Sequence, residues 1–207
     1  MTDQSTDTRN KIVEVARVLF AEQGFEGTSI REIAKEADVN LASVNYHFHN
    51  KENLFTEVLR HGYLECSTEL RNFFNTQHPD LDGILLYLFR YFIYKSHDLK
   101  CFFKMMLSSQ HNHHLTAQGS EDELIGPPGG KVILESIINE VDRRLSEEDL
   151  FWALGTLFGN VIHTALMYDS CFKNNNFPYT SIEDLEKRIS RLTKLVLEDL
   201  RSGPNNH

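Results

Sequence analysis

The side chains best suited to recognising another molecule lie in one short run. On a helix, Val44 and Phe48 would point inward and leave small or hydrogen-bonding side chains outside. These outward residues are Leu41, Ala42, Ser43, Asn45 and Tyr46. An asparagine amide can bond to adenine or another base edge, and a tyrosine ring can lie on thymine methyl groups. A purely structural helix would more often carry long charged side chains there. The run therefore predicts a surface that reads DNA bases, with Ser43, Asn45 and Tyr46 as its base-contacting residues.

Two short helices are expected to position this surface. The first begins near Thr28 or Ser29, because Ser29 followed by Glu32 has the spacing of a capping box. Its apolar stripe is Ile30, Ile33, Ala34 and Ala37. After a break, Asn40 can cap the second helix, which runs to about Phe48. Two short helices joined by a tight turn form a helix-turn-helix, whose second helix fits the major groove of DNA.

The same region resembles the TetR family of transcriptional regulators. The resemblance covers roughly residues 10–55 and rests on Gly24-Phe25, on 28–34, on 39–48, on Asn50-Lys51-Glu52 and on Leu54. It implies an all-α fold of about nine helices. An N-terminal three-helix helix-turn-helix DNA-binding domain (1–50) would precede a helical ligand-binding and dimerisation domain (51–207).

The resemblance also implies roles for individual residues. By position, the residues that hold the DNA phosphates are Thr28, Arg31, His47 and Lys51. Asn45 stands where these regulators commonly have tyrosine, which leaves open an exchange of roles between Asn45 and Tyr46. A packed histidine is the alternative for His47.

Helical spacing of apolar residues continues along the chain. Residues 1 to about 8 are predicted to be a disordered tail, followed by a first helix that ends at Gly24. A long helix begins near Asn50 and reaches toward Phe74. Further helices are predicted over 81–96, 98–109, 131–145, 147–168 and 181–201, with a polar loop over 110–130.

Aromatic and methionine side chains are concentrated between residues 84 and 109. Such side chains fill irregular space and can reshape around a guest, although most clusters of this kind are only core. The family resemblance implies a ligand cavity, so we expect a small hydrophobic effector, such as a fatty-acyl or aromatic compound. The candidate ligand-binding residues are Tyr87, Tyr91, Phe102, Phe103, Met106, Phe158 and His163.

The last two predicted helices carry more apolar surface than one packed chain requires. Gly155 and Gly159 lie four residues apart in the first of them, and each costs roughly 1 kcal/mol relative to alanine. They make sense if another backbone comes close. The resemblance implies a homodimer through these two helices. Such a dimer would read a palindromic operator in double-stranded DNA, with half-sites about 34–36 Å apart.

Composition limits the partners and the compartment. The net charge is −9, and residues 1–51 hold six Lys and Arg against eight Asp and Glu. Indiscriminate nucleic-acid binding is therefore disfavoured, and affinity should rest on directed contacts and helix N-termini. No apolar run approaches the roughly 20 residues that span a bilayer, and the polar N-terminus is unlike a signal peptide. We expect a cytoplasmic protein with no membrane partner and with reduced Cys66, Cys101 and Cys171.

A helical enzyme or metal-binding protein is the main alternative. The sequence has no Glu-x-x-His pair for a di-iron site, and HExxH, GxSxG and GxGxxG are absent. His111, His113 and His114 form one local cluster, but no carboxylate or cysteine accompanies them at a ligand spacing. We therefore predict no enzyme activity, no cofactor and no metal site. The leading hypothesis is a dimeric repressor released from its operator by a ligand; a TetR-like scaffold without DNA binding is a third possibility.

Overall fold

The computed structural model describes residues 2–95, 127–142, 144–173, 178 and 180–203. These residues form eight α-helices and one π-helical turn, and none of them lies in a strand. In chain order the elements are α1 Thr2–Gly27, α2 Ile30–Glu36, α3 Leu41–Phe48, α4 Lys51–Gln77, α5 Leu81–Tyr94, α6 Gly130–Glu140, α7 Glu147–Met167, the π-helical turn Tyr168–Phe172 and α8 Ile182–Ser202. The predicted all-α class is confirmed. The predicted helix 98–109 and most of the polar loop 110–130 lie outside the described residues.

The described residues divide into two compact units. The first holds residues 2–65, and the second holds 66–95 with the described parts of 127–203. The division falls inside α4, whereas the sequence places the domain boundary at residue 50. The reason is that the first turns of α4 are buried in the core of the first unit, through Leu54, Phe55, Val58 and Leu59.

The core of the first unit is built from one face of each of its helices. Helix α1 contributes the most side chains: Ile12, Val13, Ala16, Leu19 and Phe20. Three aromatic rings meet at its centre, with Phe20 and Phe25 each packing edge-to-face on Phe55 at centroid distances of 5.1 and 5.0 Å. Phe25 thus folds back onto the core.

Helix α1 is longer than the sequence predicts. It begins at Thr2, so the predicted disordered tail is wrong over residues 2–8. Contacts from Arg9 to other helices hold this end of α1, and a helix extends readily from a fixed turn. Its other end breaks at Gly24, where the positive φ of 77° suits glycine.

In the second unit, α5 packs against α7 and α8, and α6 packs against α5 and α7. Asp80, Ser146 and Ser181 cap the starts of α5, α7 and α8, because each side chain accepts a backbone N–H bond. Between helices, the Ser190 hydroxyl donates to the Asp82 carboxylate at 2.8 Å. These contacts fix the starts of α5, α7 and α8 and join α5 to α8.

Helix α7 and the π-helical turn differ from the sequence expectation about apolar runs. The segment Glu147–Phe172 is long and apolar enough, by length and composition, to cross a membrane, with a mean hydropathy of 1.4. Core helices of water-soluble proteins pass the same test, and seven α7 residues are buried here. The described residues bury 39% of the apolar window. Two large apolar side chains near the start of α7, Phe151 and Trp152, are exposed.

Candidate nucleic-acid interface

The turn between α2 and α3 is held by backbone and side-chain hydrogen bonds. Ser29 caps α2 by accepting the Glu32 N–H, but the Glu32 side chain accepts from Gln23, so the expected capping box is half formed. After α2, Asp38 adopts a positive φ of 49°, which aspartate tolerates better than most residues. Asn40 caps α3 through an Ala42 N–H bond of 2.9 Å. The predicted helix-turn-helix is therefore formed.

Helix α3 presents the predicted outward face. Val44 and Phe48 are buried and hold the helix on the core. The side chains of Leu41, Ala42, Asn45 and Tyr46 are exposed, and Ser43 is half-buried. Tyr46 is the most prominent of them, with 76% of its surface exposed. These small and hydrogen-bonding groups lie together on one side of a short helix, where they are free to meet base edges.

Two of the four expected phosphate-contacting residues have internal partners. Thr28 is only 2% exposed, and its hydroxyl donates to the Leu19 and Gly24 carbonyls at 3.1 and 2.8 Å. The prediction that this hydroxyl contacts a phosphate is therefore corrected, because the Thr28 hydroxyl is buried and already bonded. Lys51 is half-buried; its ammonium donates to the Phe25 and Thr28 carbonyls at 2.9 and 3.2 Å. Thr28 and Lys51 thus join α1, α2 and the start of α4.

The other two residues remain open for a phosphate. Arg31 is exposed in the first turn of α2 and makes no hydrogen bond or ion pair with the described part of the chain. The half-buried His47 ring packs beside the rings of Tyr46 and Phe48, at centroid distances of 5.2 and 6.0 Å. Arg31 and His47 therefore stay predictions as phosphate-contacting residues.

Sequence reasoning missed His49 at the C-terminal end of α3. Its N–H donates to the Asn45 carbonyl at 2.9 Å, and its Nδ1 lies 3.2 Å from the same oxygen. The backbone there (φ 68°, ψ −49°) forms a γ-turn closed by Asn50 N–H and Phe48 C=O, which is rare for a residue other than glycine. Histidine is only a weak signal for positive φ, so the sequence could not indicate this turn.

Sequence reasoning also missed Glu57 of α4, which forms ion pairs with two arginines of the first unit. Its carboxylate pairs with Arg9 of α1 at 2.8 Å and with Arg60 one turn along α4. Burial raises the pKa of the Glu57 carboxyl, but hydrogen bonds and charges from Arg60 and Arg9 outweigh burial and lower the pKa overall. Glu57 is therefore ionised throughout the neutral range.

This lowered pKa predicts how acid affects stability. A carboxyl with a lowered folded-state pKa stabilises the fold above its unfolded value, about 4.3 for glutamate, and that contribution is lost as the pH falls through the folded value. We expect wild type to resist urea better than Glu57→Gln at about pH 7. The difference should shrink as the pH falls from neutral through about 4.3 toward the lower folded-state pKa. A constant difference across this range would contradict the ion-pair explanation.

The proposed ligand-binding residues are only partly brought together. Phe158 is buried in the second unit, where it meets Phe92 edge-to-face at 6.1 Å, and the Tyr91 ring lies 5.8 Å from the Phe92 ring. The half-buried Tyr87 stacks on Phe73 at 3.9 Å. Burial, followed by the charges of Glu69 and Cys66, raises the pKa of the Tyr87 phenol, which stays protonated and able to donate. Phe102, Phe103 and Met106 lie outside the described residues.

His163 differs from the expectation. Its side chain is exposed on α7, on the face that carries Gly155 and Gly159, rather than lining the interior with Phe158. It is five residues from Phe158, about 140° around a helix, which turns the two side chains in different directions. The prediction that His163 lines a ligand site within one chain is therefore corrected.

No three His, Cys, Asp or Glu side chains come close enough to hold a metal ion in the part of the chain that the structure describes. His111, His113 and His114 lie outside that part.

A short helix that is capped by Asn40, anchored by Val44 and Phe48, and exposed along its polar side defines a helix-turn-helix protein. Comparison with known proteins gives the family. Residues 12–58 match the model of bacterial regulatory proteins of the tetR family. The chain is 30% identical over 128 residues to IcaR of Staphylococcus epidermidis, a negative transcriptional regulator of a biofilm operon; the match covers 56% of this chain and 67% of IcaR. The chain belongs to the TetR family of transcriptional regulators.

Two further comparisons show how far the likeness extends. YttP of Bacillus subtilis, a probable transcriptional regulator, is 48% identical over 56 residues, but the match spans only 27% of each chain. The structure of Thermus thermophilus FadR, a TetR-family repressor in complex with lauroyl-CoA, matches 92% of this chain and 93% of its own with a TM-score of 0.56. At 21% identity, this likeness shows the fold alone.

Proposed function

We propose that this protein is a dimeric, sequence-specific DNA-binding repressor that a small hydrophobic ligand releases from its operator. The observation that carries the proposal is the exposed polar side of α3, held outward by the Asn40 cap and the buried Val44 and Phe48. IcaR supports the regulatory sign, since this relative is named a negative transcriptional regulator. Such a protein would act in the cytoplasm, where it meets the chromosome.

The base contacts are assigned to the exposed side of α3. Ser43, Asn45 and Tyr46 offer a hydroxyl, an amide and a phenol to the major groove, while Leu41 and Ala42 allow close approach. Arg31 and His47 would hold phosphates on either side. Lys51 acts by holding the 25–28 turn against α4, and its remaining N–H can still face a phosphate.

The homodimer is assigned to α7 and α8. Phe151 is 82% exposed and Trp152 is partly exposed at the start of α7. A Cβ built on Gly155 or Gly159 would meet nothing within 4 Å among the described residues, so packing within this part of the chain does not require glycine at either place. A second copy whose backbone comes close would explain both glycines and the open apolar surface of α7. Leu195 is exposed on α8 and is the apolar side chain that the last helix offers to such a partner.

The effector is assigned to the aromatic interior of the second unit. Phe92, Phe158 and Tyr91 form an apolar cluster that suits an acyl chain or an aromatic ring. The lauroyl-CoA bound to FadR supports the acyl class. Binding would favour a dimer in which the two recognition helices no longer match successive major grooves, a coupling of about 1–3 kcal/mol.

Selection of bound duplexes from a random library tests DNA binding directly. We expect one inverted-repeat sequence to be enriched, whereas a library that stays random after several rounds would contradict the proposal. Fluorescence anisotropy can then measure the affinity of the protein for that operator in the presence of acyl-CoA esters and small aromatic compounds.

For the effector, we expect at least one compound that binds the protein to weaken operator binding by about 5- to 150-fold. Calorimetry identifies the compounds that bind, so compounds that do not bind serve as the control set. If every compound that binds leaves operator affinity unchanged, induction by a hydrophobic ligand is excluded for these classes.

A further inference from the structure

Three helices of the first unit meet at the C-terminal end of α3. The Arg9 guanidinium of α1 lies 5.3 Å from the centre of the Phe48 ring, and Phe48 is the last residue of α3. The same guanidinium pairs with Glu57 of α4 at 2.8 Å. We propose that Arg9 and Glu57 are positioning residues for DNA recognition, which hold α3 at the angle that its base contacts require. This inference rests on the proposed DNA-binding function.

The contact has the geometry of a held cation. A guanidinium within about 6 Å of an aromatic centroid is attracted to the ring. Glu57 keeps Arg9 there, because its carboxylate is only 15% exposed and accepts from Arg60 as well. A planar guanidinium between a carboxylate and a ring has little freedom to turn. Arg9 therefore transmits the position of α4 to the recognition helix.

A second contact joins the same two helices further along. Glu14 of α1 lies 3.7 Å from His61 of α4. Both partners are about half exposed, and neither makes a hydrogen bond, ion pair or ring contact with α3 within the described part of the chain. The Arg9–Glu57 pair therefore differs from this neighbour in one respect that matters, which is its contact with the recognition helix.

A positioning role and a charge role predict opposite effects at Glu57. DNA is a polyanion, so the removal of a negative charge should by itself tighten binding. If Glu57 positions α3 through Arg9, the isosteric Glu57→Gln should instead weaken operator binding. Arg9 can be separated from a phosphate-contacting residue in a similar way. Loss of one phosphate contact lowers the slope of log affinity against log salt by about one, whereas loss of positioning leaves the slope unchanged.

The experiment measures operator affinity by anisotropy at several salt concentrations for full-length wild type, Glu57→Gln, Arg9→Gln, the double variant and Arg9→Lys. Glu22→Gln and Lys11→Gln are the matched controls, because they make the same charge changes at exposed positions of α1. Thermal unfolding shows that each variant is folded at the assay temperature. Amide hydrogen exchange over residues 45–50 gives a readout that needs no DNA.

We expect Glu57→Gln and Arg9→Gln each to weaken binding about three- to tenfold with an unchanged salt slope. The double variant should be no weaker than either single variant, Arg9→Lys should recover most of the loss, and exchange over 45–50 should rise in Glu57→Gln. Glu22→Gln should bind as tightly as wild type or tighter.

Equal or tighter binding by Glu57→Gln would overturn the proposal, as would a salt slope lowered by about one in Arg9→Gln. Wild type that binds no sequence specifically would instead overturn the DNA-binding function. In that case unchanged exchange in Glu57→Gln would also overturn the positioning of α3.

Discussion

Gly159→Leu is expected to leave the chain folded but monomeric, and to weaken operator binding by about a hundredfold or more. Gly159 is exposed on α7, and a Cβ there meets nothing within 4 Å in the described part of one chain. Leucine should therefore fit the monomer and even favour the helix, since glycine costs roughly 1 kcal/mol relative to alanine. In a dimer, the same side chain would push away the partner's backbone.

Gly159→Leu should stabilise the single chain and destabilise the dimer, and these opposite effects make the result easy to interpret. Light scattering should give the mass of one chain for Gly159→Leu and of two chains for wild type. Glu135→Leu is the control, because it adds a leucine at an exposed position of α6. A Gly159→Leu protein that remains dimeric and binds its operator normally would remove this face of α7 from the interface.

Tyr46→Ala is expected to weaken specific operator binding by about tenfold or more without loss of stability. The Tyr46 side chain is 76% exposed and makes no hydrogen bond with the described residues; its ring packs only beside His47. The fold therefore loses little when the ring is removed. In a major groove, the same ring would cover thymine methyl groups and exclude water.

Tyr94→Ala is the matched control, since Tyr94 is 85% exposed at the end of α5 in the other unit. Affinity for an unrelated duplex should change little in Tyr46→Ala, because non-specific binding rests on phosphate contacts. If Tyr46→Ala and wild type bind the operator equally well, Tyr46 makes no base contact that matters.

The helix-turn-helix could be predicted because its signals are local. The Asn40 side chain caps α3 by accepting the N–H of a residue only two positions later, and the buried Val44 and Phe48 lie four positions apart. The cap and the buried face can therefore both be recognised within one short stretch of sequence. The glycines of α7 could also be interpreted from sequence, since helical glycine has a known cost. Their exposure then supplied what the sequence lacked, namely that no side chain among the residues that the structure describes fills the space beside them.

The missed features depend on residues far apart in the chain. Lys51 bonds to carbonyls 23 and 26 residues earlier, and Arg9 meets Glu57 across α1 and α4. No spacing rule relates such positions. At Thr28 the sequence instead predicted a contact that the fold does not leave open. A hydroxyl at a helix start suits a phosphate, but the Thr28 hydroxyl points inward and bonds to the Leu19 carbonyl. Similarity of position is therefore a weaker guide to phosphate contacts than to the outward face of α3.

The spacing of half-sites tests most directly whether two recognition helices read DNA as a pair. Operator affinity is measured on duplexes that carry the selected half-sites at their natural spacing, with 5 base pairs inserted and with 10 inserted. A dimer that enters successive major grooves on one side of the duplex should bind the natural spacing best. It should lose about a hundredfold with half a turn inserted, down to the affinity of one half-site. Equal affinity for all three duplexes would contradict paired recognition.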